Sequence, residues 1–322
     1  MILKPQENSR DDIATLERLL RHSQANDLQR QQISEQIRNL RSGDRGEAEA
    51  AYEIDLHFGQ SPNWMIIHDL RIEHRGFVAQ IDHLMVNRLL EFWVLESKRF
   101  ANGVKINEHG EFTTFFEGRP RGAPSPIEQN RRHLKLLGSV LADGAIRLPT
   151  RLGFTIQPTL KSLVLISHGA IGRPRIDVPG IETVIKNDQL STTVSRALDK
   201  VGVLALTSLV GQATLEGVGQ QMLALHRPIT RRWAAQFRLP DAPLPTAQPA
   251  QVAKNPTLAR RRIGSAPAPK PSPQHRCTNC EVPVSAGVAR YCDAQPLFGG
   301  ALFCMSCQSK ALRQAKLEGA RV

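Results

Sequence analysis

Residues Gln80–Lys98 read QIDHLMVNRLLEFWVLESK. Two apolar runs flank a short polar turn, which predicts adjacent strands over Gly76–Asn87 and Glu91–Lys98, joined around Arg88 and Leu89. Side chains two apart on a strand share a face, so Glu96 and Lys98 project together. The second strand is otherwise apolar from Phe92 to Leu95, as befits a strand covered on both sides. Asp82 lies on the first strand. An Asp, a Glu and a Lys at strand ends can hold a divalent ion while an ammonium stays free to meet a water or a phosphate. The individual residues also have plainer uses, Asp82 pairing with His83 or an Arg, and Lys98 snorkelling to the surface.

Outward from this pair, Trp64–Ile72 predicts a further strand. Upstream, a helix is predicted to begin after Gly43, with Glu47 in its first turn among the small residues Ala48, Ala50 and Ala51, which permit close approach to a sheet. A solvated acid favoured by the helix N-terminus accounts for Glu47 equally simply. Ile13, Leu16, Leu20, Leu28, Ile33, Ile37 and Leu40 predict one or two amphipathic helices before it, an arm with a structural or partner-docking role. Downstream, Val104–Phe116 reads as a hairpin bending at Glu108, His109 and Gly110, and Pro120–Pro126 as a loop. Pro126 then opens a helix in which Ile127, Leu134, Leu137 and Leu141 pack and Gln129 and His133, four apart, share an adjoining face. Leu160–His168 and Ile181–Ile185 predict strands, Ser191–Lys200 and Thr214–Leu225 helices.

Of 322 residues, 42 are Lys or Arg and 30 Asp or Glu, a net charge of +12. The sequence pI near 10.0 points to an anionic partner, with nucleic acid first among candidates. The beginning of the chain has no basic flank followed by an apolar core, so no signal peptide is expected. The most apolar run, Val201–Val218, is broken by Thr207, Gln212 and Glu216, so no membrane association is expected. Nine prolines fall in residues 240–276, with Arg260, Arg261, Arg262, Lys270 and Arg276, the composition of a flexible basic linker. All five cysteines lie beyond it. Cys277/Cys280 and Cys304/Cys307 form two CxxC pairs 23 residues apart, the spacing of a structural Zn²⁺ site in a reducing compartment. Cys292 either replaces one of these ligands or is a spare buried thiol.

Gly46-Glu47, Gln80-Ile81-Asp82-His83, Glu96-Ser97-Lys98, and Pro126-Ile127 with Gln129 and His133 together resemble the NERD, or nuclease-related, domain of the PD-(D/E)xK restriction-endonuclease-like superfamily. The cysteine-rich tail resembles topoisomerase-like zinc modules. The turn Asn87-Arg88-Leu89-Leu90 departs from that family, which usually places a glycine there. The resemblance implies an α/β fold, a mixed sheet flanked by helices. It implies a Mg²⁺- or Mn²⁺-dependent nuclease acting on DNA, most simply an endonuclease, with Asp82 and Glu96 as principal metal ligands. Glu47 would be an additional or water-mediated ligand, Lys98 would position or activate the attacking water, and Gln129 would steady water, lysine or phosphate. His83, on the opposite face from Asp82, is expected to be structural.

The domain organisation expected is a helical arm over 1–42, a nuclease-like domain over 43–239 with its core in 43–168 and a mainly helical extension in 169–239, the linker over 240–276, and a zinc module over 277–322. A bacterial cytoplasmic location is expected, and double-strand cleavage by a single-site fold would call for a homodimer. Two other functions fit the same residues: a nuclease fold retained only for DNA binding, and a scaffold subunit using its helices and zinc tail for protein contacts.

Overall fold

The computed structural model describes residues 1–202, 208–240, 275–284, 288, 292, 298–304, 307 and 308. The chain divides into two compact units, 1–247 and 248–322. In order, the first unit carries β1 (Ile2–Lys4), α1 (Arg10–Leu20), α2 (Asp27–Phe58), β2 (Trp64–His74), β3 (Phe77–Asn87), β4 (Glu91–Lys98), β5 (Val104–Ile106), β6 (Phe112–Phe116), β7 (Arg119–Ala123) and α3 (Pro126–Ala142). Next come β8 (Thr150–Arg151), β9 (Phe154–Thr155), β10 (Thr159–Ile166), β11 (Ile171–Gly172), β12 (Val184–Lys186), α4 (Leu190–Asp199), α5 (Gln212–Ala224) and α6 (Trp233–Gln236). Among the described residues, no helix is long and apolar enough to cross a membrane.

The fold is mixed α/β. Its main sheet has the order β1-β2-β3-β4-β10-β12, antiparallel through β2-β3-β4 and parallel elsewhere. Strand alternation sends Met65, Ile67, Leu84, Phe92 and Val94 to one face, against Leu137 and Val140 of α3 and Leu215 and Met222 of α5. Trp64, Ile66, Met85, Trp93 and Leu95 face the other way, against Ala50, Ile54 and Phe58 of α2 and Val194 of α4. The central strands are therefore apolar on both faces. A smaller sheet, β11-β5-β6-β7, packs Ile106 and Phe112 against Ile127 and Val164.

Several local expectations are corrected. The helix predicted to begin after Gly43 is the C-terminal half of α2, one helix of 32 residues that starts at a capping box of Asn26 and Gln29. Glycines at 43 and 46 suggest a boundary, but a long packed face carries the helix through them. The residues expected as an arm are joined to the fold: β1 pairs in parallel with β2, and α1 packs with the first half of α2 and with Trp233 and Phe237. The expected loop at Pro120–Pro126 begins as the edge strand β7, where Pro120 is tolerated. The linker expected over 240–276 lies outside the described residues except at its ends.

The turn that lacks a glycine is solved by Leu90, which adopts φ +56° while its side chain is fully buried. Asn87 supports it, its Oδ1 accepting from the amides of Leu89 (3.0 Å) and Glu91 (3.1 Å). A residue with a Cβ in this region carries roughly 1–2 kcal/mol of strain, which burial in the core offsets. Leu90→Ala is expected to destabilise by about 2–5 kcal/mol. Leu90→Gly, free of that strain, should be at least as stable as Leu90→Ala in urea unfolding; a clearly less stable glycine variant would contradict the strain.

Candidate active site and metal centres

The pairing of β3 with β4 runs from Val86↔Phe92 to His83↔Leu95 and ends there. Beyond it β3 continues against β2, and β4 against β10, where Glu96, Ser97 and Lys98 lie opposite Val164, Leu165 and Ile166. The strands part at Asp82. Its carboxylate spans the gap, Oδ2 accepting from the Ser97 amide at 2.8 Å and from the Ser97 hydroxyl at 3.1 Å.

The parted strands open a cleft of about 410 Å³ that receives Glu47, Asp82, Glu96, Lys98, Gln129 and His133. Every carboxylate, lysine and glutamine singled out in residues 43–168 thus reaches one cleft, from α2, β3, β4 and α3. Local packing explains each approach. Gly46 brings α2 against the chain just after β4, where a Cβ would stand 3.0 Å from that of Arg99, and Glu47 is its neighbour. α3 opens on Pro126 with Ser125 as N-cap. It is pinned by the buried Asn130, whose amide donates to the carbonyls of Val94 (2.8 Å) and Leu163 (3.1 Å) and to the Ser162 hydroxyl (2.8 Å). Gln129 and His133 are thereby held over the end of β4.

The cleft concentrates negative charge out of water. Burial, then the neighbouring Asp82, pushes Glu96 up to about 8. Burial and the carboxylates of Asp82, Asp69 and Asp44 push Glu47 up to about 8 as well. Burial also raises Asp82, opposed by Lys98 and the Ser97 hydrogen bonds. Lys98, hydrogen bonded to Glu96 Oε1, would be lowered by burial, but the attraction of Glu96 and Asp82 prevails and raises it. Burial, with Arg132 and Lys98, lowers His133 to about 4, so its imidazole is neutral at pH 7.

Five residues around this site are given no role by the sequence. Asp44 and Asp69 act on Glu47 electrostatically; Asp69 was visible as an acid among the apolar residues early in β2. The other three are Ser97, His68 and Asp55. His83 Nε2 lies 2.9 Å from Ser97 Oγ, His83 Nδ1 lies 2.6 Å from His68 Nδ1, and His68 Nε2 lies 3.0 Å from Asp55 Oδ1. A hydrogen-bonded chain therefore runs Asp55–His68–His83–Ser97–Asp82, both imidazoles fully buried. The imidazoles can each donate or accept along this chain according to tautomer, and the Ser97 hydroxyl joins it to Asp82. His83 is structural, as expected, and the structure it supports is that of Asp82.

In the second unit, the Sγ atoms of Cys277, Cys280, Cys304 and Cys307 lie within 4.8 Å of one another, the only such group of potential metal ligands among the described residues. The carboxylates of the cleft do not form so tight a cluster. Cys280 Sγ is 3.5 Å from that of Cys304 and 3.7 Å from that of Cys307. A tetrahedron of ~2.3 Å Zn–S bonds sets its sulfurs about 3.8 Å apart, so the four thiols could hold zinc. Cys292 stands aside as the buried thiol, its sulfur 3.3 Å from both the amide nitrogen and the carbonyl oxygen of Phe303.

Zinc content measured by atomic absorption should be one per chain, lost in Cys280→Ser and kept in Cys292→Ser. Raised carboxyl values make the folded, metal-free cleft bind more protons than the unfolded chain between about pH 4.5 and 8. Stability conferred by these groups is therefore complete below pH 4.5 and falls as pH rises towards 8. Melting curves in metal-free buffer should show Glu96→Gln with a shallower decline than the parent over this window.

Residues 42–167 match the family model NERD, the nuclease-related domain. No curated protein matches the chain, and no solved structure does. The matched segment holds Glu47, Asp82, Glu96, Lys98, Gln129 and His133 of the cleft and suggests a nuclease-like function with nucleic acid as partner.

Proposed function

We propose that this protein is a divalent-metal-dependent nuclease of the PD-(D/E)xK, restriction-endonuclease-like type, hydrolysing phosphodiester bonds of DNA as an endonuclease. The observation that carries the proposal is the single cleft in which Glu47, Asp82, Glu96, Lys98 and Gln129 meet. The donors suit a hard cation: they are carboxylate oxygens, and one of them, Glu96 Oε2, is buried without a hydrogen-bond partner. A bound Mg²⁺ or Mn²⁺ would polarise the phosphoryl group and acidify an attacking water.

The chain's own groups do the rest. Ser97 fixes Asp82 Oδ2, which orients the carboxylate for metal binding by its other oxygen. Asp82 and Glu96 would be the principal ligands and Glu47 the third. Lys98 is held as a cation beside Glu96. That charge state favours orienting the water and stabilising charge on the phosphate over removing a proton. Gln129 would hold water or phosphate through its amide. The exposed Arg119, Arg121, Arg131 and Arg132 supply cations for the backbone on either side of the cut. The zinc module would add grip on the nucleic acid, and a homodimer would allow both strands to be cut.

Purified protein incubated with supercoiled plasmid, linear duplex, single-stranded DNA and RNA should cleave DNA in Mg²⁺ or Mn²⁺. Cleavage should drop by about 10²-fold or more in Glu96→Ala/Lys98→Ala. Salt-sensitive binding of DNA without cleavage would instead assign the fold to binding alone, and neither binding nor cleavage would favour a scaffold.

A further inference from the structure

Besides Arg99 Nε, which lies 3.6 Å from Glu49 Oε1, two buried polar atoms of the cleft have no hydrogen-bond partner in the protein: Glu96 Oε2 and His133 Nδ1. They face each other at 3.7 Å, from side chains only 1% and 11% exposed. That separation is too long for a hydrogen bond between them. Neither group is loose. Glu96 is held through its other oxygen by Lys98, and α3 is pinned beside His133 by the three hydrogen bonds of Asn130.

Metal binding displaces the proton that burial favours on Glu96, and the carboxylate then offers only lone pairs, as does His133 Nδ1 in the tautomer that carries its proton on Nε2. In that state the two facing atoms accept a third partner that takes lone pairs from both. A cation with bonds of about 2 Å to each fits between atoms so spaced. It would share Glu96 with the carboxylate centre and add one nitrogen to an otherwise all-oxygen donor set.

We propose that His133, through Nδ1, is a ligand of the same divalent ion that Glu96 Oε2 holds, and that the centre consequently selects Mn²⁺ over Mg²⁺. Mg²⁺ demands oxygen donors, whereas first-row transition ions accept imidazole nitrogen readily. This inference rests on the metal centre of the proposed nuclease but adds a residue and an ion preference to it.

The test uses the full, tag-free chain with its cysteine site loaded with zinc and Mn²⁺ as the probe, observed by electron paramagnetic resonance. Wild type should bind Mn²⁺ with electron spin-echo modulation from a directly coordinated ¹⁴N. In His133→Ala and His133→Gln the modulation should vanish and Mn²⁺ affinity fall about 10–100-fold, while Mg²⁺ affinity, read by competition, changes little. Mn²⁺ bound by wild type without ¹⁴N coupling, or coupling that survives in both variants, overturns the proposal and leaves a water donating to both atoms as the occupant. Metal-dependent plasmid cleavage in that event keeps the nuclease reading intact. Failure to bind Mn²⁺ overturns the proposal as well, and loss of cleavage with it would carry the nuclease reading down.

Discussion

The hydrogen bonds from Ser97 to Asp82 Oδ2 occupy the point at which the central sheet stops being a continuous ladder. Where β3 and β4 part, backbone amides lose their ladder partners, and a buried amide without an acceptor is costly. Asp82 supplies the acceptor from its side chain. The opening of the sheet and the placing of an acid at its mouth are thus one event. From the same point Glu96 and Lys98 emerge on the face covered by α3, and Gly46 lets α2 close in beside them.

The acid at this junction is supported from behind. Two buried imidazoles and a serine hydroxyl link Asp82 through the sheet to Asp55 on α2. Such networks specify geometry when every member is satisfied and are costly when one is lost. The chain ties Asp82's orientation to the packing of the helix that also carries Glu47. The front of the site is arranged the opposite way: Glu47, Asp82 and Glu96 repel one another in a water-poor cleft, with Lys98 as the compensating cation. Stability given up at a site prepared for a ligand is a common form of the trade between activity and stability. A nucleic-acid partner would bring more negative charge, which a cation in the cleft, as in the function proposed above, would offset.

The cysteine module follows a different logic. Among its described residues, four thiols converge without a disulfide. Bound metal would therefore supply much of its folding free energy. The buried Cys292 contributes packing and weak hydrogen bonds instead, a distinction that the count of five cysteines could not make.

The sequence by itself determined the strands β2 to β4, the Pro-started helix α3 and the two cysteine pairs, and it singled out Asp82, Glu96 and Lys98 as candidate site residues. Each of these is a local periodicity or spacing, written within a score or so of residues. It misplaced the start of α2, because glycine is a local signal for a helix end and a packed face can override it. Tertiary structure alone decided that β3 and β4 part at Asp82, that Asn130 pins α3, that His68 and His83 back the site, and that His133 faces Glu96. These relations join residues far apart in the chain through strand register and helix docking, and a one-residue slip would turn each side chain to the opposite face. The donors were legible one by one; their meeting is a property of the fold.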